Sequence, residues 1–463
     1  MDIAALKAEL DGEVPLEENP RILQQKSRDF YWYSPVLKRQ LDAVAADLVA
    51  TPRSVDELHA ALGSAWRNDV PVTVRGAGTG NYGQAMPLAG GLVIDVSALD
   101  RVIEIGEGRV VAEPGAILAK IDEATRASGQ ELRLSPSTYH TASIGGFVAG
   151  GSGGVGSIRW GGLRDAGNII RLRLAALDGS IPSVVDLTGD DIAKASHAYG
   201  TTGVITEVEM PLAPAYAWVD LLATFPTLEG AVRYGETLAA ADGLLLKNVA
   251  VVDASVAGYF KRHAPYLPAG EAVAIVVAAP FAVDDVARLA ARAGGTVTLR
   301  SDQLDEATRA RLPAAFELSW NHTTLRALRV DPAITYLQVL YPQPDICGKV
   351  LRIAEIFGDE APTHLEFVRF DGAVGCFGLP LIRYTTEARL DEIVAIHEDN
   401  GCPIFNPHRY TLEEGGMKET DAVQLAFKRR ADPKGLLNPG KMIAWDNPDF
   451  DYGKPYLFPT LAR

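Results

Sequence analysis

Apolar and polar positions change period along this chain, and the changes divide it into regions. From residue 70, short β-branched runs alternate with glycine turns: VPVTV (70–74), GLVIDVS (91–97) and VIEIGEGRVVAEPG (102–115), whose Gly-Glu-Gly is a hairpin turn. Residues 117–128 carry apolar side chains at helical spacing and stop at Gly129, a C-terminal helix signal. A glycine-dense stretch (143–162) follows, then IIRLRLAALDGSIPSVV (169–185), read as strand, Asp178-Gly179 turn and strand. This first region is therefore predicted to be α+β, with glycine-rich loops.

Pro211 and Pro214 mark a boundary, because proline interrupts a strand ladder. Beyond them the pattern predicts strand 218–225, helix 228–241, strands 244–252 and 272–279, helix 283–293 and strand 296–300, the order βαββαβ. The same order recurs as strand 335–340, helix 345–357, strands 364–370 and 373–379, helix 386–400 and strand 403–405. Two such units can join edge to edge into one antiparallel sheet with helices on one face, leaving the other face free to cover a neighbour. Residues 301–332, containing FELSWNHTTLRALR, fit neither unit and form a candidate functional insertion. From 421 the tail reads as a helix followed by DPKGLLNPGKM, with Gly435 as helix stop and Asn438-Pro439-Gly440 as a turn. The expected division is 1–214 (N-terminal helices plus two α+β subdomains), 215–420 (a second domain) and 421–463 (a segment returning to the first).

Composition narrows the function classes. With 463 residues, 47% of them hydrophobic, the chain can bury large cores and is not disordered. A net charge of -15 supplies no positive field for a phosphate backbone, so nucleic acid is excluded as a partner. The longest apolar stretch, 272–283, is too short for a transmembrane segment, and no charged-then-apolar signal opens the chain; a cytoplasmic protein is expected. Cys347, Cys376 and Cys402 are odd in number, widely spaced and outside any CxxC grouping, which predicts free buried thiols and neither disulfide nor zinc.

Two segments carry candidate chemistry. RGAGTGNYGQ (75–84) follows a strand, and its glycines allow the positive φ and close approach that an anion nest requires; by itself it is equally a hairpin turn. Gly78, Gly80 and Gly83 satisfy GxGxxG, but QAMPLAGG follows where a dinucleotide fold would open a helix, so a Rossmann site is disfavoured. LSPSTYHTASIGGFVAGGSGGVGSIRWGG (134–162) is half glycine from Gly145 onward, against a background of about 7%. Consecutive tight turns would explain that density, as would a backbone lying against a flat, phosphate-bearing ligand; Ser137, Thr138 and Ser143 supply hydroxyl donors suited to pyrophosphate and ribityl oxygens.

Taken in order with DGSI, GTTGVITEVEM and DPKGLLNPGKM, these segments resemble the vanillyl-alcohol oxidase / p-cresol methylhydroxylase (PCMH-type) flavoprotein family, over most of 49–211 and the tail from 421. The resemblance implies an FAD-binding domain of two α+β subdomains and a cap whose sheet roofs the isoalloxazine, which the duplicated βαββαβ pattern matches. It implies that Arg75, Gly76, Ala77, Gly78, Thr79, Gly80 and Gln84 wrap the pyrophosphate. Pro136, Ser137, Ser143, Gly145, Gly146, Gly150, Gly153 and Gly154 would line the flavin and ribityl chain; Gly203, Val204 and Ile205 would flank the adenine, and Asn438 and Lys441 would return from the tail. The first loop lacks histidine and the second lacks cysteine, so FAD is expected to be non-covalent, His140 being the one residue that weakens this.

The spacing looks most like the D-lactate and glycolate dehydrogenase branch, but that branch's His-x-Gly-Asp-Gly-Asn metal motif is replaced by HLEFVRFDGAVG, and Glu414 in LEEGGMK stands where its Glu-His-Gly histidine would be. No metal is expected. The proton acceptor must then lie elsewhere in the cap: His408, with Arg409 to hold a carboxylate, and Asn321-His322 in the insertion are the candidates, each with a structural alternative. Arg369 and Arg383 are expected on a solvated face or in ion pairs. The predicted activity is hydride transfer from a small alcohol or hydroxy acid to FAD, with electrons passed to a protein or quinone acceptor. An oxidase using O2 on a phenolic or alditol substrate and a non-catalytic flavin-binding subunit are the competing readings, and a homodimer is left open.

Overall fold

The computed structural model describes residues 1–416 and 419–462; the Met417-Lys418 end of LEEGGMK lies outside the described residues. Three large sheets and one two-stranded pair organise the chain. The first holds β1 (Leu16–Glu17), β2 (Leu48–Ala50), β3 (Val72–Arg75) and β4 (Leu92–Asp95) in the order β1-β2-β4-β3, with β2 and β3 parallel to β4 on either side. The helix Val55–Arg67, opened by Ser54 accepting from the Glu57 N–H, lays Leu58, Ala61, Leu62 and Ala65 on this sheet.

The second sheet contains β5 (Val102–Gly106), β6 (Arg109–Ala112), β7 (Gln130–Leu132), β8 (Arg171–Ala175), β9 (Val184–Thr188) and β10 (Val204–Pro214) in the order β5-β6-β10-β8-β9, β7 also pairing with β10. Leu172, Leu174, Val208 and Met210 alternate into its core; Arg171, Arg173, Glu207 and Glu209 face outward and pair across neighbouring strands. β10 runs through Pro211 and ends at Pro214, so the chain leaves this region at the second proline, the first being tolerated opposite Arg109. The glycine-dense stretch is also more regular than its composition predicts. It contains short helices at Ile144–Gly150 and Ser157–Trp160, because burial of Ile144, Phe147, Val148 and Ile158 outweighs the poor helix propensity of glycine.

The third sheet is the predicted duplicated cap: β11 (Val219–Phe225), β12 (Leu246–Val252), β13 (Ala272–Ala278) and β14 (Thr296–Arg300) from the first unit; β15 (Ile334–Tyr336), β16 (Gln338–Tyr341), β17 (His364–Phe370), β18 (Ala373–Gly378), β19 (Leu381–Arg383) and β20 (Ile404–Phe405) from the second. Eight of these strands form an antiparallel sheet, β14-β11-β13-β12-β17-β18-β16-β20, the units meeting where Ala250, Val251 and Val252 pair with Glu366, Leu365 and His364. The strand predicted over 335–340 is broken at Leu337: β15 leaves the main sheet and pairs with β19, which the pattern did not announce. Helices Leu228–Ala240, Val283–Arg292, Ile346–Phe357 and Glu387–Asp399 cover one face, burying a core that includes all three cysteines as free thiols. The tail helix Ala422–Ala431 leads to a segment in which Leu436 and Asn438 exchange backbone hydrogen bonds with Val72, so the chain's end extends the β3 edge. No helix among the described residues is long and apolar enough to cross a membrane.

Candidate flavin cavity and its cap wall

The face of the cap sheet opposite those four helices closes over a cavity of about 1040 Å³. Its walls come from two sources. On one side lie the two glycine segments, with Gly203, Val204 and Ile205 at the start of β10; of the residues expected around FAD, Asn438 and Lys441 alone fall outside the lining. On the other side the cap contributes Gln338 and Leu340 from β16, Val368 and Phe370 with the intervening Arg369 from β17, Phe377 from β18 and Phe405 from β20. Their neighbours Val339, Tyr341, Phe367 and Cys376 point into the helix-covered core, the period-two division that a sheet imposes. Among the strands of the first unit, none supplies a lining residue.

The glycines are required by packing. A Cβ on Gly76 would overlap the Ser143 hydroxyl, one on Gly80 would overlap the Gln84 amide, and one on Gly154 would overlap the Ser135 carbonyl. The Gly76–Ser143 approach, and that of Gly150 to the Gln84 amide, bring the two segments together, while the other two keep each segment folded tightly on itself beside the cavity. The N–H groups of Gly78, Thr79 and Gly80 have no acceptor among the described residues and the Ser137 hydroxyl is likewise free, a donor set suited to phosphate and ribityl oxygens. Arg75 departs from its expected role. Its guanidinium donates to the carbonyls of Lys26 (2.7 Å), Arg28 (3.1 Å) and Ala77 (3.2 Å), so it pins the loop to the N-terminal segment at the cavity wall. Asn438 and Lys441 also act from behind: Asn438 donates to the Gln84 and Tyr199 carbonyls, and the Lys441 ammonium donates to the Gly83 carbonyl at 2.6 Å. Burial pulls the Lys441 ammonium down in pKa and pushes the nearby Asp29 carboxyl up.

A sequence profile described as an FAD binding domain matches residues 46–184. The chain thus carries an FAD-binding domain of the kind found in PCMH-type FAD-linked oxidoreductases. This flavoprotein is 25% identical over 441 residues to the glycolate oxidase subunit GlcD of Bacillus subtilis (86% of this chain, 89% of the relative) and 27% identical over 462 residues to GlcD of Escherichia coli (90% and 88%). D-lactate dehydrogenase of Archaeoglobus fulgidus is 30% identical over 198 residues, 40% of this chain. Among solved structures, alkyldihydroxyacetonephosphate synthase superposes with a TM-score of 0.74 at 15% identity (96% of this chain, 86% of that one), and 4-ethylphenol oxidase from Gulosibacter chungangensis with 0.68 at 17% (94% and 95%), which shows the shared fold.

The flavoprotein's candidate catalytic residues separate into two groups. Asn321 and His322 line the cavity at the start of the helix Asn321–Leu328. Burial, helped by Arg326 and Arg329, lowers the His322 pKa to about 4, so its imidazole is neutral at pH 7. His408, Arg409 and Glu414 do not line the cavity. His408 is 2% exposed and has both ring nitrogens occupied, Nδ1 by the Ser34 hydroxyl (2.7 Å) and Nε2 by the Tyr336 carbonyl (2.9 Å), so it ties the N-terminal segment to the cap and has no nitrogen left for substrate. Arg409 is neutralised by Glu387 and Asp391 at 3.4 and 3.3 Å. Glu414 accepts from the Tyr456 N–H (2.8 Å) and fastens the tail. A polar residue after the last cap strand reads alike in sequence whether it turns toward the cavity or the core, and here it turns to the core. His140 is exposed and also outside the lining, packed beside Phe316. Arg369 and Arg383 form the expected ion pairs, with Asp242 and Asp331.

The sequence reading missed Trp320, Gln338, Phe377 and Glu366. Trp320 lines the cavity at φ +52°, a left-handed conformation costly for a bulky residue, and is held there from two sides. Its N–H donates to Glu366 Oε1 at 2.6 Å and its indole to Asn248 Oδ1 at 3.2 Å. Glu366 Oε1 is also within 2.7 Å of His364 Nε2, so this fully buried carboxylate fixes the point at which the chain turns into the helix bearing His322. The Gln338 side chain is oriented by the Tyr82 hydroxyl, which donates to its Oε1 at 2.7 Å. Phe377 meets Phe370 and Phe405 edge-on at 5.7 and 5.8 Å, giving this end of the cavity an aromatic roof.

Proposed function

We propose that this flavoprotein dehydrogenates a small hydroxyl-bearing substrate, an alcohol or hydroxy acid, in the cap half of the cavity, with FAD held non-covalently between the glycine segments and its electrons passed to an external protein or quinone acceptor. When bound, FAD supplies the hydride acceptor. The observation that carries the reading is the pairing, in one cavity, of a bare-backbone cradle with a cap wall bearing a neutral, unpaired imidazole. His322 takes the hydroxyl proton, because an imidazole neutral above about pH 4 is a base at working pH. Gln338 and Asn321 orient the substrate oxygen, and the phenylalanine roof excludes water and packs on an apolar substrate body. No cysteine lines the cavity, since all three are in the cap core, and His140 lies outside it, which supports an unlinked flavin.

The test is anaerobic bleaching of the flavin by aryl alcohols and hydroxy acids, with His322→Gln as comparison. Bleaching by at least one compound, slowed at least tenfold in the variant, is expected; no bleaching by any hydroxyl compound would overturn the reading. Acid precipitation should leave the flavin in solution, and a yellow pellet would contradict non-covalent binding.

A further inference from the structure

The helix that begins at Asn321 and His322 continues outward with cations on the same face. Arg326 stands one turn beyond His322 and Arg329 a further three residues on, so the i, i+4, i+7 spacing aligns all three. Burial falls along this line: His322 and Arg326 are half-buried and Arg329 is exposed. Neither arginine has an ion-pair partner among the described residues, although the chain carries a net charge of -15 and pairs many of its arginines. Arg326 donates Nε to the Glu317 carbonyl at 3.1 Å, which fixes its stem and leaves the terminal nitrogens free. The lowered His322 pKa registers both cations, and the field of Arg329 also reaches Tyr33 on the cavity wall. Arg262, from the preceding 3-10 turn Lys261–Tyr266, adds its field at Arg326, while the one acidic group registered there is Glu317.

We infer that this arginine stripe is a recognition site for an anionic group on the substrate, a carboxylate or a phosphate, set apart from the reacting hydroxyl by an apolar spacer. The inference rests on the proposed oxidation only for the position of the hydroxyl. With a rise of about 1.5 Å per residue, Arg326 lies roughly 6 Å and Arg329 roughly 10 Å along the axis from His322. A 2-hydroxy acid, whose carboxylate sits on the carbon bearing the hydroxyl, cannot reach both ends of this arrangement. An amphipathic anion can: its apolar part passes under the phenylalanine roof, and its charge extends past His322 to the guanidinium groups, which lie beyond the cavity lining on the outward turns of the same helix, where a charge-assisted hydrogen bond is strong yet partly screened.

The test uses the flavin-loaded protein and binding, so it does not depend on turnover. 4-Phenylbutyrate, 3-phenylpropyl phosphate, 4-phenylbutan-1-ol and lactate are titrated by flavin difference spectra and calorimetry against wild type, Arg329→Gln and Arg326→Gln/Arg329→Gln. The two aryl anions are expected to bind about tenfold tighter than the alcohol and lactate, consistent with one charge-assisted contact at a half-exposed site. That advantage should shrink about threefold in Arg329→Gln and vanish in the double variant, and the tighter of the two anions identifies the preferred group. Arg329 is exposed, so its variant tests the idea even if the double variant loses flavin. Equal binding of alcohol and anions, no binding of either anion, lactate binding as tightly as the aryl anions, or an undiminished advantage in Arg329→Gln would each overturn the inference. Anion binding without bleaching by any hydroxyl compound would uphold it while removing the proposed oxidation.

Discussion

His408 offers a quantitative check on the division between structural and catalytic histidines. Its neutral form is built into the fold: Nε2–H donates to the Tyr336 carbonyl and Nδ1 accepts from the Ser34 hydroxyl, whose oxygen in turn receives the Leu37 N–H. Burial first, and the nearby Arg409 charge, hold its pKa at about 3, against 6.5 for a free imidazole. Between those values the unfolded chain binds a proton that the folded chain refuses, so stability is full above about pH 6.5 and is lost as pH falls towards 3. From about pH 7 to about pH 5 this amounts to roughly 1.4 proton units, or about 2 kcal/mol. Other buried groups titrate in the same range: His263 and His322 add to the loss, while Asp220 and Asp446, raised to about 6, oppose it. The comparison is therefore wild type against His408→Gln, in which those contributions cancel and the amide can keep the bond to Tyr336. Urea unfolding at the two pH values should show the wild type losing about 2 kcal/mol more than the variant, and potentiometry at about pH 5 should show it taking up about one more proton on unfolding. Equal pH dependence in the two proteins, or loss of flavin reduction in a folded His408→Gln variant, would refute both the burial argument and the exclusion of His408 from the chemistry.

Gly154→Ala should purify with far less flavin than wild type, because the added methyl overlaps the Ser135 carbonyl and displaces the backbone of the second glycine segment where it lines the cavity; an unchanged flavin-to-protein absorbance ratio would contradict this. Glu366→Ala strands the Trp320 N–H and the His364 ring, which predicts a loss of about 3 kcal/mol in denaturant melts and a raised KM with flavin retained, whereas Glu366→Gln, which keeps an acceptor for Trp320, should recover most of both. The kcat/KM profile should be flat from about pH 8 to about pH 5 and fall through the His322 value of about 4, and a limb that persists in His322→Gln would assign it to another group.

What the sequence made legible was whatever local periodicity encodes. Alternation and helical spacing announce twelve cap elements, and two glycine segments point to a ligand because their entropy cost needs a reason. Features set by register or by the direction of a turn were out of reach. The β15–β19 pair is invisible in a run that reads as one strand, and the helix Ile144–Gly150 forms against its own propensity because the core selects it. Arg75 and His408 show the same limit: each is a polar residue beside the site in sequence, but side-chain direction makes one a loop anchor and the other an interdomain tie. Trp320 and Glu366 lie far apart along the chain and act only as a pair.

The halves of the duplicated cap have drifted into separate occupations. The first is a fastening: Trp218 and Lys247 both grip Glu131, each at 2.7 Å, and the Lys247 carbonyl accepts from Gly156 N–H. The second, with the insertion before it, does all the reading of the cavity. Changes confined to the cavity-facing side chains Gln338, Leu340, Phe370, Phe377 and Phe405 leave the Glu131 joint untouched, so a mutational library aimed at altered specificity belongs there, and one aimed at sturdiness belongs in the other copy.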